Sequence, residues 1–196
     1  MLNLTDTTRR QPSAHAATGE APWAPQTSEL RGKAFGTYLH GLFARLGRDA
    51  DAFLRELDGL AVPAGQEAVH AQALERIRAC LRDPRIRHAL VGELAGKVLW
   101  VERKAAIHQT LPDGATEIVP AVFDRVCITP GRSAVIVDYK TARGGTEAEL
   151  RERYAGQMTA YRDAVARLTG LPAEAIRCQL IGIWTEGARV AVVDVF

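Results

Sequence analysis

Val119-Pro-Ala-Val-Phe-Asp-Arg125 and Ile136-Val-Asp-Tyr-Lys-Thr141 decide both the fold and the chemistry of this 196-residue chain. Glu117–Thr129 has a β-type composition, Pro130-Gly131 marks a turn, and Ala134-Val-Ile-Val-Asp138 is a short apolar run suited to a strand buried on both faces. Asp124 and Asp138 lie at or near the ends of these adjacent strands, 14 positions apart, which is one hairpin's length. Antiparallel pairing at that separation can bring two side chains onto one face within a few ångströms. Two such carboxylates repel unless a cation or a proton sits between them. Lys140, two residues after Asp138, emerges on the same face of its strand. Two acids and a lysine converging at strand ends suit a divalent metal such as Mg²⁺, which takes one or two carboxylates, keeps waters and accepts a phosphate oxygen. That arrangement favours phosphodiester hydrolysis. Taken alone, acid–x–Lys on a strand is more often a solvated face.

Outward from this pair, Lys97–Gln109 reads as a strand and Leu111-Pro-Asp-Gly114 as a turn. Glu147–Leu168 is a long helical pattern closed by Gly170 and Pro172. Ile176–Thr185 and Ala188–Val195 are two final strands, joined by a tight turn at Glu186-Gly187. Before the sheet, Tyr38, Leu39, Leu42, Phe43 and Leu46 form one helix face, with Gly47 suited to its end. Asp51–Leu57 predicts a second helix. Val69, Ala73, Ile77, Cys80 and Leu81 mark a third, which stops near Asp83-Pro84, and residues 84–94 make a short fourth. Residues 1–29, rich in Thr, Ser, Ala, Pro and Gln, read as an unstructured lead, with Trp23 the one residue there suited to docking. The order predicts an α/β domain over 30–196, with a helical block (30–94) and a mixed sheet with its long helix (97–196).

Composition limits what such a domain can do. Apolar residues make up 47% and charged residues 24%, the balance of a folded domain rather than a disordered chain. Net charge is only +2, so nucleic-acid binding must come from a local groove rather than from an overall positive field. No apolar run is long enough to span a membrane, and residues 1–10 lack the run of a secretory signal. Cys80, Cys127 and Cys178 are odd in number, widely spaced and without a C-x-x-C pair, which reads as reduced thiols in a cytoplasmic protein.

Five short motifs then fall in order between positions 36 and 161: Gly36-Thr-Tyr-Leu-His40, Val101-Glu102, Phe123-Asp124-Arg125, Val137-Asp-Tyr-Lys-Thr141 and Tyr154-x-x-Gln157-x-x-x-Tyr161. Together with Trp184-Thr-Glu-Gly187 they resemble the RecB-type nucleases of the PD-(D/E)XK superfamily, in particular the C-terminal nuclease domain of RecB- and AddA-like helicase–nucleases. The resemblance implies a restriction-endonuclease-like core, a mixed central sheet flanked by helices. It implies metal ligation by His40, Asp124, Asp138 and the backbone carbonyl of Tyr139. Lys140 would be the catalytic lysine, with Gln157 and Tyr161 supporting the site or touching the DNA backbone. Mg²⁺ is the implied cofactor, and the imidazole ligand lets Mn²⁺ substitute.

The implied activity is metal-dependent DNA hydrolysis, exonucleolytic on single strands or free ends, alongside a helicase domain or subunit in recombinational repair at a bacterial nucleoid. The chain has no Gly-x-x-x-x-Gly-Lys-Ser/Thr loop, so the motor would lie elsewhere, and the chain would be an excised domain or a stand-alone relative. The family often has Gly three positions before its first Asp, and this chain has Ala121.

Each of these residues also has a plainer reading. His40 can be a helix histidine bonded to a carboxylate, Glu102 a surface partner of Arg103 or Lys104, and Asp124 an ion pair with Arg125. Lys140 can be a solvated edge lysine, and Gln157 and Tyr161 can be packing residues. Arg143, Arg151 and Arg153 can be a solvated face or phosphate contacts. At the level of function the alternatives are a catalytically silent DNA- or protein-binding module of the same fold, and a hydrolase of small phosphoesters.

Overall fold

The computed structural model describes residues 28–110 and 113–196. Four helices come first: α1 (Ser28–Phe43), α2 (Ala50–Asp58), α3 (Glu67–Arg82) and α4 (Pro84–Val91). Strands β1 (Val98–Thr110), β2 (Thr116–Thr129) and β3 (Ser133–Ala142) follow, then α5 (Glu147–Thr169), a single 3₁₀ turn, β4 (Ile176–Trp184) and β5 (Val190–Asp194). The expected lead over 1–29 lies almost wholly outside the described residues, as does Trp23. Its last two positions, Ser28 and Glu29, already belong to α1.

Local chemistry sets the helix ends. Asp83 closes α3 and caps α4, its carboxylate accepting from the amides of Arg85 and Ile86 while Pro84 occupies the first turn. A capping box between Thr146 and Glu149 starts α5, and Gly170, at φ 71°, ends it. The end expected for α1 at Gly47 is corrected: α1 stops at Phe43. Beyond it the chain tightens into three-residue turns, Arg45 N–H to the Leu42 carbonyl and Leu46 N–H to that of Phe43. The carbonyls of Leu46 and Gly47 are thereby freed, and the guanidinium of Arg125 donates to both at 2.7 Å and to that of Leu90 at 2.7 Å. Arg125 is 1% exposed, so one strand residue staples the ends of α1 and α4 to the sheet.

The sheet runs β1-β2-β3-β4-β5. All neighbours are antiparallel except β3 and β4, which are parallel and joined through α5, so the mixed sheet is as predicted. The helical block covers one face, packing Leu39, Phe43, Phe53 and Ile77 on Val137, Tyr139, Ile181 and Ile183. The long helix covers the other, packing Leu150, Met158 and Val165 on Ile136, Leu180 and Trp184. β3 therefore feeds alternate residues into both layers, as its apolar run predicts. The β1–β2 ladder continues out to Thr110 and Thr116, whereas the β2–β3 ladder ends at Arg125 and Val137. The outer half of the β1–β2 hairpin thus extends past β3 as a two-stranded arm, held by its inner face against α5 through Ile107 and Ala121. Among the described residues no helix is long and apolar enough to cross a membrane.

Candidate active site

Register alone aligns three acids. Val101 faces Arg125 and Arg103 faces Phe123, so Glu102 stands opposite Asp124. One step past the last β2–β3 pair, Arg125 and Val137, Asp124 stands opposite Asp138. Glu102, Asp124 and Asp138 form one row across three strands, at the point where the ladders break. Glu102 has φ 48°, a left-handed backbone costing a non-glycine residue on the order of 1 kcal/mol or more. Phe123 and Val126, three apart, both join the apolar layer under α5, so β2 loses its strict alternation at Asp124. There the side chain takes over from the backbone, Asp124 Oδ2 accepting the Tyr139 amide at 2.7 Å.

The helical block adds the nitrogen. Gly36 lets α1 lie against the end of β3, since a Cβ there would sit 2.7 Å from Thr141 Oγ1. One turn later His40 Nδ1 comes 3.3 Å from Asp124 Oδ1. Tyr139 fixes the approach, its ring stacked on Phe43 at 4.4 Å and edge-on to His40 at 5.6 Å. His40, Glu102 and Asp124 each offer a ligand atom, all within 4.8 Å of one another.

The electrostatics follow from this crowding. Burial, then the Asp124 charge, pushes the Asp138 carboxyl up to about 6 against the smaller pull of Lys140 and His40. Glu102 is raised by burial and by Asp124. Burial lowers His40, but its hydrogen bond to Asp124 and the charges of Asp124 and Asp138 together raise it. An imidazole and hard carboxylate oxygens this close, with burial disfavouring their charge, are a donor set that fits a divalent cation. On the other side of the row Lys140 Nζ lies 2.7 Å from Asp138 Oδ2 and 4.4 Å from the centre of the Tyr154 ring.

The remaining candidates divide. Gln157 donates to the Tyr161 hydroxyl at 2.8 Å, and that hydroxyl donates to the Val122 carbonyl at 3.0 Å. The Tyr161 ring meets Phe123 edge-on at 4.9 Å, so this pair ties α5 to the strand just before Asp124. Arg125 points away from Asp124 into the helical block, which removes the ion-pair reading of Asp-Arg. Arg143 pairs with Glu186 at 2.6 Å and Arg151 donates to the Asp194 carbonyl, while Arg153 is exposed. Ala121 packs in the layer under α5 opposite Ala105, where its methyl is accommodated. Cys80 and Cys178 are buried free thiols and Cys127 is half-buried. Sequence reading gave Glu102 a place in a short motif and a plainer reading as a surface partner of Arg103 or Lys104. Its place in the row appears only once the register of β1 on β2 is known. Tyr154 stood in a quoted motif without a role, and the ammonium over its ring supplies one.

The sequence pattern of the PD-(D/E)XK nuclease superfamily matches residues 12–191. The chain belongs to the PD-(D/E)XK nuclease superfamily. Nucleases of this superfamily use divalent metals, in keeping with the His40–Glu102–Asp124 cluster. No curated protein matches the chain. Among solved structures, the crystal structure of SSO0001 is similar at 12% identity and a TM-score of 0.35, over 80% of this chain and 65% of that one. This PD-(D/E)XK chain thus spans about two thirds of the length of that protein.

Proposed function

We propose that this PD-(D/E)XK protein is a Mg²⁺-dependent DNA nuclease of the RecB type, with Mn²⁺ able to substitute. The observation that carries the reading is the acid row, flanked by an imidazole on one side and an ammonium on the other. His40, Asp124 and Asp138, with the backbone carbonyl of Tyr139, would hold the metal, and Glu102 joins them as a further carboxylate. When bound, such an ion lowers the pKa of a coordinated water and neutralises charge building on phosphorus. Lys140 supplies the second positive charge. Its ammonium, seated between Asp138 and the Tyr154 ring, orients the attacking water and stabilises the pentacovalent phosphorus. Gln157 and Tyr161 keep α5 seated behind Asp124, and the Gln157 amide would meet a backbone phosphate. Action on single strands or free ends, beside a helicase domain or subunit in recombinational repair at the nucleoid, is proposed on the order of the five motifs.

Digestion of linear single- and double-stranded DNA tests this. Cleavage is expected with Mg²⁺ or Mn²⁺, to stop in EDTA, and to fall at least about a hundredfold in Asp138→Ala and Lys140→Ala. Cleavage that persists in EDTA, or is unchanged in both variants, would overturn the assignment. DNA binding without cleavage in any divalent cation would point instead to a silent binding module of the same fold.

A further inference from the structure

A cavity of about 780 Å³ lies between the N-terminal halves of α1, α3 and α5 and the C-terminal end of β3. Its lining is more apolar than polar and includes the rings of Phe35 and Tyr154 and the methyl of Ala142. Exposed Gln72 and Glu186 add hydrogen-bond acceptors. Gly32 lies one turn before Gly36 on the same face of α1 and opens onto the cavity. A Cβ at Gly36 would strike Thr141, whereas one at Gly32 would meet nothing within 4 Å. α1 therefore leaves this wall bare, although the volume is in the range of ligand clefts, roughly 300–1,000 Å³.

The chain itself carries a matching occupant. The described residues begin at Ser28, about one turn before Gly32, so residues 1–27 join the fold beside this cavity. Trp23 is five positions upstream of Ser28. That is a reach of about 16 Å at roughly 3.3 Å per residue, against about 6 Å of helix rise from Ser28 to Gly32. Between Gln11 and Thr27 the one Asp, Glu, Lys or Arg is Glu20, so little charge would have to be desolvated. In Pro22-Trp-Ala-Pro25 each proline fixes its own φ and steers the residue before it to extended backbone. Such a stretch has less freedom to lose on docking. An indole pairs a large apolar body with one N–H donor, which is the balance this lining offers. The superfamily pattern starts at residue 12, so the stretch lies inside the matched span.

We infer that this cavity is the seat of Trp23, and that residues 20–27 fold back over α1 as a strap binding it to the end of β3 and to α5. The occupant is a segment of the same chain. The inference stands apart from the nuclease reading of the acid row and survives or fails without it.

Fluorine NMR of the full chain carrying 5-fluorotryptophan tests it. The chain has three tryptophans, and Trp23→Phe assigns the resonance of interest. In the wild type that resonance is expected away from the free-tryptophan position, with a solvent isotope shift between H₂O and D₂O well below that of an exposed ring. Gly32→Phe fills the cavity from α1 itself, where there is room, and improves helix propensity. It is expected to send Trp23 to the free position with the full isotope shift while the melting temperature does not fall, a combination that misfolding does not produce. Trp23→Ala is expected to lower the melting temperature by about 5 °C in the wild type and by less than about 1 °C in Gly32→Phe. A Trp23 resonance at the free position in the wild type, a shielded one that Gly32→Phe leaves in place, or equal losses from Trp23→Ala in both backgrounds would each overturn the inference. So would shielding that vanishes on dilution, which would give the cavity to a second copy of the chain.

Discussion

Asp138 is ionised at neutral pH only against resistance, because 2% exposure and the facing Asp124 both favour its proton. Its carboxyl sits at about 6 in the folded protein, above the ordinary value of 3.8. The folded state therefore holds that proton more tightly than the unfolded chain. The associated stability is present below about pH 4 and is lost as pH rises through 6, by at most about 3 kcal/mol. The raised His40 works in the same sense, its contribution present below the ordinary histidine value and lost as pH rises through the folded one. Metal-free protein is thus expected to melt at a higher temperature near pH 5 than near pH 7. Asp138→Asn is expected to flatten most of that slope, and Mn²⁺ to raise the melting temperature far more at pH 8 than at pH 5.5. Thermal denaturation in EDTA and in Mn²⁺ reads both; a rising slope from pH 5 to 7 without metal would contradict them. Asp124, Asp138, Lys140 and His40 were legible in the sequence because strand period and motif order place them without knowledge of distant packing. Glu102 was not, because its role depends on the register of a 13-residue strand and on a left-handed φ that no neighbouring residue announces.

At the scale of elements, the helical block must be held at a fixed height for His40 to reach Asp124, and Arg125 is the side chain that holds it. Three carbonyls from two helix ends converge on one planar guanidinium, a geometry a lysine ammonium does not reproduce. Arg125→Lys and Arg125→Met are both expected to destabilise the fold by about 3 kcal/mol or more, since charged hydrogen bonds contribute roughly 1.5–3 kcal/mol each. Divalent-metal affinity, read by calorimetry at a temperature where the variants stay folded, is expected to fall with it. A Lys variant with wild-type melting and metal affinity would show that the staple is dispensable. Helix stops written in local chemistry, at Asp83-Pro84 and Gly170, could be read from the sequence. The end of α1 could not: Gly47 looked like a cap, but its carbonyl is taken by an arginine 78 positions away.

For the whole molecule, two apolar layers meet on one sheet, and the candidate acid row sits where the outer ladder parts from the central one. That the sheet is mixed followed from element order. The arm did not, since nothing in β1 or β2 says that β3 stops partnering them midway. That parting has a dynamic consequence. Backbone amides at 103–107 and 118–123 lean on one neighbouring strand and one helix, whereas those of β3 sit in the middle of the sheet, so the arm opens locally at lower free energy. Amide hydrogen exchange is expected to be fastest there and slowest in β3 and β4. A divalent ion gripping Glu102 and Asp124 would slow exchange at the arm's root while leaving its tip unchanged. With such an ion bound, the hairpin would act as a hinge pivoting on the cation, and its tightness would report occupancy of the centre.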